Sequence, residues 1–312
     1  MINQAFIDRA KELGFIAAGF SKPQTPIHFG FFLHWLREVE VGDMAYLKRN
    51  IELRRDPQRL LEGLKTVISL AYPYPASKPS TPDGYTVSRY STPQQQDYHL
   101  RLRGLGKRLC KFIKGVFPES RSRICVDSTP ILERSFALTS GIGFTGKNNM
   151  LILPGHGSYL FLAEILTTAQ FSTSSFKEPE NRCGSCTECI DSCPTGALKA
   201  PFYIDVSKCL SYLTIESRTD IDKGMAERMG NTFFGCDVCQ EVCPLNRKDF
   251  PIISLPSKDS ILSMTEMDFK RTFGKSSFER AGLKKLKSNI MLLDPKTQQG
   301  RAFFNRLDIT GS

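Results

Sequence analysis

The sequence predicts an α/β domain with a mixed sheet, then a compact cysteine-rich module, then a short helical C-terminal segment. Three observations carry this. Strand and helix patterns alternate over the first ~170 residues. Most of the cysteines crowd into two runs between Cys183 and Cys243, and beyond Leu245 the chain turns Lys-rich with short helical patterns. The expected divisions are residues 1–171, 172–250 and 251–312.

Residues 3–13 place Phe6, Ile7, Ala10 and Leu13 on one helical face, and Gly14 stops the helix. A strand is expected at 15–20, followed by helical patterns at 32–40 and 43–49 and a second strand at 66–71. Pro73, Pro75, Pro79 and Pro82 make the next stretch an irregular loop. Residues 97–117 form a long basic helix carrying Arg101, Arg103, Lys107, Arg108, Lys111 and Lys114. After a strand at 123–126, Thr129 as N-cap and Pro130 at the first helical position predict another helix. The apolar runs 150–153 and 158–167 flank Pro154-Gly-His-Gly157 and predict a hairpin. The polar stretch 172–181 is the expected linker, and 297–312 a loosely held tail.

The first cysteine run is Cys183-x2-Cys186-x2-Cys189-x3-Cys193-Pro194; the second is Cys236-x2-Cys239-x3-Cys243-Pro244, with Cys209 standing upstream. This C-x2-C-x2-C-x3-C-P spacing is that of bacterial two-cluster ferredoxins, in which the fourth cysteine of each run crosses to the other cluster. It predicts a ferredoxin-like module. Cys183, Cys186, Cys189 and Cys243 would hold one 4Fe-4S cluster; Cys193, Cys209, Cys236 and Cys239 would hold the other. Structural zinc sites pair two C-x2-C knuckles, and disulfide frameworks belong to short secreted chains, so the x3 gap and the C-P endings argue against both.

The chain has 312 residues, 40% hydrophobic and 24% charged, an ordinary globular composition. Ten cysteines behind a start that has neither the basic nor the apolar part of an export signal point to a reducing, cytoplasmic setting. The most apolar run, 159–166, is too short to span a bilayer, so no membrane partner is expected. A formal charge of +10 favours a polyanionic partner such as nucleic acid.

Gly141-Ile-Gly143-Phe-Thr-Gly146-Lys147 satisfies G-x-G-x-x-G. A dinucleotide fingerprint needs a strand before and a helix after, the reverse of the pattern here, and Asn148 occupies the Ser/Thr position of a P-loop. The glycines are expected instead to admit close approach of something large and flat. Asp127 lies just past a strand, where α/β domains place ligands, and Ser128 and Thr129 stand nearer the helix start, leaving it free for acid chemistry. His28, His34, His99 and His156 show no metal-pair spacing and are expected to be mostly structural. Cys110 and Cys125 are expected to be buried free thiols.

Taken together, 126–134 (VDSTPILER), 141–148 (GIGFTGKN), 157–166 (GSYLFLAEIL), 209–216 (CLSYLTIE) and both cysteine runs resemble the epoxyqueuosine reductase family, over a stretch from near the N-terminus to about residue 250. Corrinoid reductive dehalogenases are more distantly similar. The resemblance implies an oxidoreductase of queuosine biosynthesis, whose substrate is tRNA carrying epoxyqueuosine at the wobble position and whose α/β domain binds cobalamin beside the clusters. It implies Asp127 as proton donor, its carboxyl pKa raised by burial beside the corrin. Tyr90, Lys147, Asn148, Ser211 and Asp237, with Asp127, are the expected cobalamin contacts, which makes the second cluster proximal. There is no D-x-H-x-x-G motif to supply a histidine to cobalt, so base-off cobalamin without a His ligand is expected. Arg218 and the basic stretch 275–287 are candidates for phosphate contact. An external donor of flavodoxin or ferredoxin type and a monomeric state complete the expectations. The rival readings are a plain two-cluster electron carrier and a corrinoid dehalogenase-like enzyme.

Overall fold

The computed structural model describes residues 1–92, 96–173, 175–177, 179–246 and 253–293. The expected tail at 297–312 lies outside the described residues, as do the boundary at 250/251 and parts of the 172–181 linker.

Helix α1 (Ile2–Glu12) buries Phe6 and Ala10. It ends where the sequence places a stop: Gly14, at φ +91°, donates to the Lys11 carbonyl and Phe15 to the Ala10 carbonyl, a Schellman closure. Strand β1 (Ala17–Ser21), helices α2 (Phe29–Glu38) and α3 (Ile51–Arg55), and strand β2 (Thr66–Pro73) follow. The short strands β3 (Pro79–Ser80) and β4 (Thr86–Val87) lie in and after the proline-rich stretch. Helix α4 (Tyr98–Val116), capped by the Asp97 side chain, leads to β5 (Ser122–Cys125) and α5 (Glu133–Thr139). Strands β6 (Phe144–Thr145), β7 (Leu151–Ile152) and β8 (Leu160–Thr167) complete this region.

The central sheet has the order β1-β2-β8-β5, every pair antiparallel. Alternation along its strands sorts the side chains. Ile68, Leu70, Ala163 and Ile165 face α1 and α4, packing with Phe6, Leu102, Leu109 and Phe171. Val67 and Leu166 face the other way, toward Phe136 of α5. Two expectations change here. The helix after β5 begins at Glu133 rather than near Pro130, and no side chain caps it, because residues 127–132 are spent on a turn that starts with Asp127 at φ +50°. Of the 150–167 hairpin only the turn closes, through one antiparallel bridge between Leu153 and Gly157; beyond it β7 pairs back with β6, and β8 enters the central sheet between β2 and β5. Burial on both faces of β8 explains why its sequence is apolar at successive positions apart from Glu164 and the terminal Thr167.

In the cysteine module, α6 (Glu188–Asp191) follows Cys186 and carries Cys189, α9 (Val238–Glu241) follows Cys236 and carries Cys239, and β9 (Leu198–Ala200), β10 (Tyr203–Ile204), α7 (Leu210–Ile215), α8 (Lys223–Glu227) and β11 (Thr232–Phe234) lie between them. Strand β12 (Ile253–Ser254) and helices α10 (Lys258–Ser263), α11 (Glu266–Phe273) and α12 (Gly282–Leu293) form the C-terminal segment. Mixed pairing occurs in a second sheet, β11-β4-β3-β12, whose β11/β4 and β12/β3 pairs are parallel and whose β3/β4 pair is antiparallel. That sheet stitches all three segments together. Phe269, Phe273, Phe278, Leu286 and Ile290 share one core with Leu210, Phe233 and Phe234 of the module and Val87 of β4. Asn289 donates to the Thr214 and Phe233 carbonyls, at 2.9 Å each, which satisfies backbone otherwise stranded in that core. Among the described residues no helix is long and apolar enough to cross a membrane.

Candidate active site

Asp127 holds a left-handed backbone conformation unusual for a non-glycine residue, and its amide donates to Glu133 Oε1 at 2.7 Å. Its carboxylate Oδ2 meets His99 Nε2 at 2.8 Å, and His99 Nδ1 meets Asp97 Oδ1 at 2.8 Å. The imidazole therefore sits between two carboxylates. Burial disfavours its charge, but the bonds to Asp127 and Asp97 outweigh that, pushing its pKa up to about 9. For Asp127 burial likewise acts upward, yet the His99 bond and charge, with Arg280 further off, hold the carboxyl below its ordinary value. This corrects the expectation of a raised Asp127: at neutral pH the proton of this pair resides on His99.

His99 was the residue that sequence reasoning missed. Its signal was local, an aspartate two positions earlier at a helix start, while its partner Asp127 lies 28 positions away. Tyr98 stacks on His99 with ring centroids 4.0 Å apart and on Phe161 at 4.3 Å, fixing the first turn of α4. Tyr90, Asp97, Tyr98 and His99 line a cleft together with Ser276, Ser277, Glu279 and Arg280 of the C-terminal segment. Arg280 is held by Glu216 through Nε at 2.5 Å and Nη2 at 2.9 Å. Residues of the first and third segments thus line one opening, and Glu216 of the module braces it through Arg280.

The cysteines fall into two groups. Cys183, Cys186, Cys189 and Cys243 line one cleft of about 420 Å³, measured with its open mouth. Cys189 feels the charges of Cys183, Cys243 and Cys186. Cys236 feels Cys209 and Cys193, and Cys239 feels Cys236 and Cys209. Burial raises the thiols of Cys189, Cys209, Cys236, Cys239 and Cys243, with Cys236 pushed up to about 12. Such buried, mutually repelling thiols favour a cationic metal group among them. Among the described residues, no three or more His, Cys, Asp or Glu converge closely enough to hold a single ion.

The expected cofactor contacts do not all reach the His99 cleft. Tyr90 does: it lines the cleft, and it packs against the same hydrophobic core as Cys236. Lys147 and Asn148 instead attend the cysteine loops. Lys147 Nζ donates to the Gly184 and Cys186 carbonyls at 2.7 and 2.8 Å, and Asn148 Nδ2 donates to the Cys239 carbonyl at 2.9 Å. Asp237 is 4% exposed and accepts the Arg89 amide at 2.6 Å, with burial raising its carboxyl to about 6. Ser211 is half-buried at the start of α7. Gly143 and Gly146 are needed by the chain itself, since a Cβ would stand 2.1 Å from the Ile152 carbonyl oxygen at the first and 2.6 Å from Ile152 Cδ1 at the second. The exposed Arg218 donates its amide to Asp43. In the basic stretch Lys275 and Lys284 are exposed, whereas Lys285 and Lys287 donate to the Thr219 and Met264 carbonyls.

Residues 182–246 match the 4Fe-4S double cluster binding domain, and residues 54–128 match the model described as epoxyqueuosine reductase QueG, DUF1730. The epoxyqueuosine reductase of Cellulophaga algicola is 35% identical over 297 residues, covering 91% of this chain and 95% of that protein. That of Bacillus subtilis is 32% identical over 313 residues, covering 93% and 78%. A crystal structure of epoxyqueuosine reductase with an epoxyqueuosine-modified tRNA-Tyr stem loop superimposes with a TM-score of 0.83 at 31% identity, covering 94% of this chain and 80% of that one. A Bacillus subtilis structure, whose catalytic aspartate loop is swung out of the active site, gives 0.81 at 31% identity, with the same coverage.

Proposed function

The chain belongs to the epoxyqueuosine reductase family, and from that premise we propose that it reduces the epoxide of epoxyqueuosine at the tRNA wobble position, giving queuosine and water. The observation that carries this reading is the Asp97–His99–Asp127 chain, whose Asp97 and His99 line the same cleft as Tyr90, a residue packed against the same core as Cys236. Removing the oxygen as water takes two electrons and two protons. An acid at the cleft and a one-electron relay behind it are the two things that chemistry requires.

The two thiol sets suit two 4Fe-4S clusters in the crossed arrangement, Cys183, Cys186, Cys189 and Cys243 in one and Cys193, Cys209, Cys236 and Cys239 in the other. Cobalamin fits the cleft in part. Tyr90 and Tyr98 offer apolar faces, and Ser276 and Ser277 offer polar ones. Of the contacts named from sequence, Tyr90 and Asp127 would face it directly, Ser211 would border it, and Lys147, Asn148 and Asp237 would act through the loops they brace. When bound, cobalamin would collect two electrons and supply a strongly nucleophilic reduced cobalt. Both ring nitrogens of His99 are engaged by carboxylates, in keeping with a base-off cofactor without a His ligand.

His99 holds a proton at Nε2 against Asp127 Oδ2. As the epoxide C–O bond opens, that proton passes through Asp127 to the oxygen, which avoids expelling a bare alkoxide, and the second proton, needed for the oxygen to leave as water, would come from solvent through the same pair. His99 and Asp127 act as one acid with a shared proton, with Asp127 the group that touches substrate. Exposed Arg218, Lys275 and Lys284 would meet anticodon-loop phosphates, and a flavodoxin- or ferredoxin-type donor would feed the clusters. The test is reconstitution without air, using iron, sulfide and cobalamin, followed by nucleoside analysis of an epoxyqueuosine stem loop incubated with a reductant. Queuosine is expected. An iron-loaded protein that takes up no corrin and leaves the epoxide intact is an electron carrier, and the proposal fails.

A further inference from the structure

Behind the Asp127 turn lie two carboxyls that the reaction does not use. Glu133, in the first turn of α5, accepts the Asp127 amide through Oε1 at 2.7 Å. Glu164 on β8 is 0% exposed, and neither of its carboxyl oxygens has a hydrogen-bond partner among the described residues. In register it lies between Ser69 of β2 and Cys125 of β5. Strand alternation sends it to the face that Leu166 presents to Phe136 of α5, and the charge of Glu133 acts on it. Asp127 is thus the exposed tip of a turn braced by the half-buried Glu133, behind which Glu164 is fully buried.

We infer that Glu133 is a positioning residue for the acid, holding Asp127 at its left-handed φ by accepting its amide and biasing the His99–Asp127 proton with its own charge. The inference rests on the reading of Asp127 and His99 as the proton-delivering pair. A non-glycine residue at φ +50° costs energy that a neighbour must offset, and the Glu133 bond is the contact that supplies this at Asp127's own amide. Burial, then the Asp127 charge, raises Glu133 to about 8, while Arg134 and His99 act downward. Glu164, raised by burial and then by Glu133, stays neutral. The Cys125 thiol, pushed up to about 12, is neutral as well. Because the charged His99 lowers Glu133, an ionised Glu133 must raise His99 by the same coupling. Near pH 8 and above, Glu133 therefore helps the acid keep its proton.

The experiment is a pH–rate profile of the reconstituted enzyme on the epoxyqueuosine stem loop, comparing wild type with Glu133→Gln, Glu133→Ala and Glu164→Gln. Wild type must first produce queuosine; if it does not, the functional reading falls before the inference is reached. Glu133→Gln keeps an oxygen for the Asp127 amide, so near-neutral turnover should stay within about threefold, while the alkaline limb moves to lower pH. Glu133→Ala removes the acceptor and should lose roughly tenfold to a hundredfold in kcat with KM little changed. Glu164→Gln should leave the limb in place. An alkaline limb unmoved in Glu133→Gln overturns the inference, as does full turnover in Glu133→Ala or a limb displaced equally by Glu164→Gln. Unchanged iron content and circular dichroism separate these outcomes from misfolding.

Discussion

The thiol module and the Asp127 cleft are assembled on opposite principles. In the module, chemistry is written as spacing: short runs of cysteine separated by small and polar residues aim sulfurs inward wherever the chain turns. In the cleft Asp97 and His99 are two positions apart, but the partners that complete the site are distant in sequence. Asp127 lies just past β5, His99 sits in the first turn of α4, and Arg280 arrives from a C-terminal segment whose core is shared with the module. The module resembles a prefabricated part, and the cleft exists only once every segment has docked. On the proposed reading, electron delivery and proton delivery have different structural vulnerabilities, the first to loss of single ligands and the second to loss of long-range packing.

The sharpest way to break the comparison is at the crossing cysteines. Cys243 follows Cys239 in sequence but stands with Cys183, Cys186 and Cys189. Cys243→Ala should therefore lower iron from about eight to about four per chain and spare the set containing Cys209. Loss of the Cys236–Cys239 set instead would show that the runs act locally.

Next in size is His99→Gln. The raised His99 pKa means its charge stabilises the fold fully below the unfolded value of 6.5, and this contribution is lost as pH rises through about 9. Chemical denaturation should thus find the variant less stable than wild type at pH 6 and nearly equal to it at pH 10. A gap that persists at pH 10 would assign His99 a packing role instead.

Smaller effects should appear where the cleft domain meets the module. Gly157, at φ +85°, leaves no space for a Cβ, which would stand 2.1 Å from Asn246 Oδ1. Gly157→Ala should cost about 1–3 kcal/mol. Gly155→Ala has the same kind of φ, +82°, but nothing within 4 Å, and should cost less. Equal melting temperatures for the two variants would mean that the Asn246 contact does not matter. Smallest of all, Arg218→Ala should weaken stem-loop binding mildly and reduce its log–log salt slope by about one. An unchanged slope would remove Arg218 from the RNA surface.

Legibility divides along the same line. The end of α1 at Gly14 and the span of α4 could be read because caps and periodicity are local. So could the rejection of a dinucleotide site, since Gly141–Lys147 does follow a helix and enter a strand. The late start of α5 could not be read, because what displaces it is a bond from the Asp127 amide to Glu133, not a propensity. The hairpin was expected because two apolar runs flank a glycine-rich turn, but β7 pairs with β6 while β8 is central and buried on both faces. Lys147, Asn148 and Asp237 were noticed as chemically capable residues, but which surface each serves depends on contacts 37, 91 and 148 positions away. His99 was set aside for the same reason.

One measurement bears most directly on the claim that proton and electron delivery meet at Asp127. Wild type and Asp127→Asn, each loaded with iron, sulfide and cobalamin and pre-reduced, are mixed with an epoxyqueuosine stem loop for a single turnover, and the nucleosides are analysed. The prediction is queuosine from wild type, and from the variant a rate at least about a hundredfold lower with its iron and corrin content intact. Conversion by Asp127→Asn at the wild-type rate would contradict it.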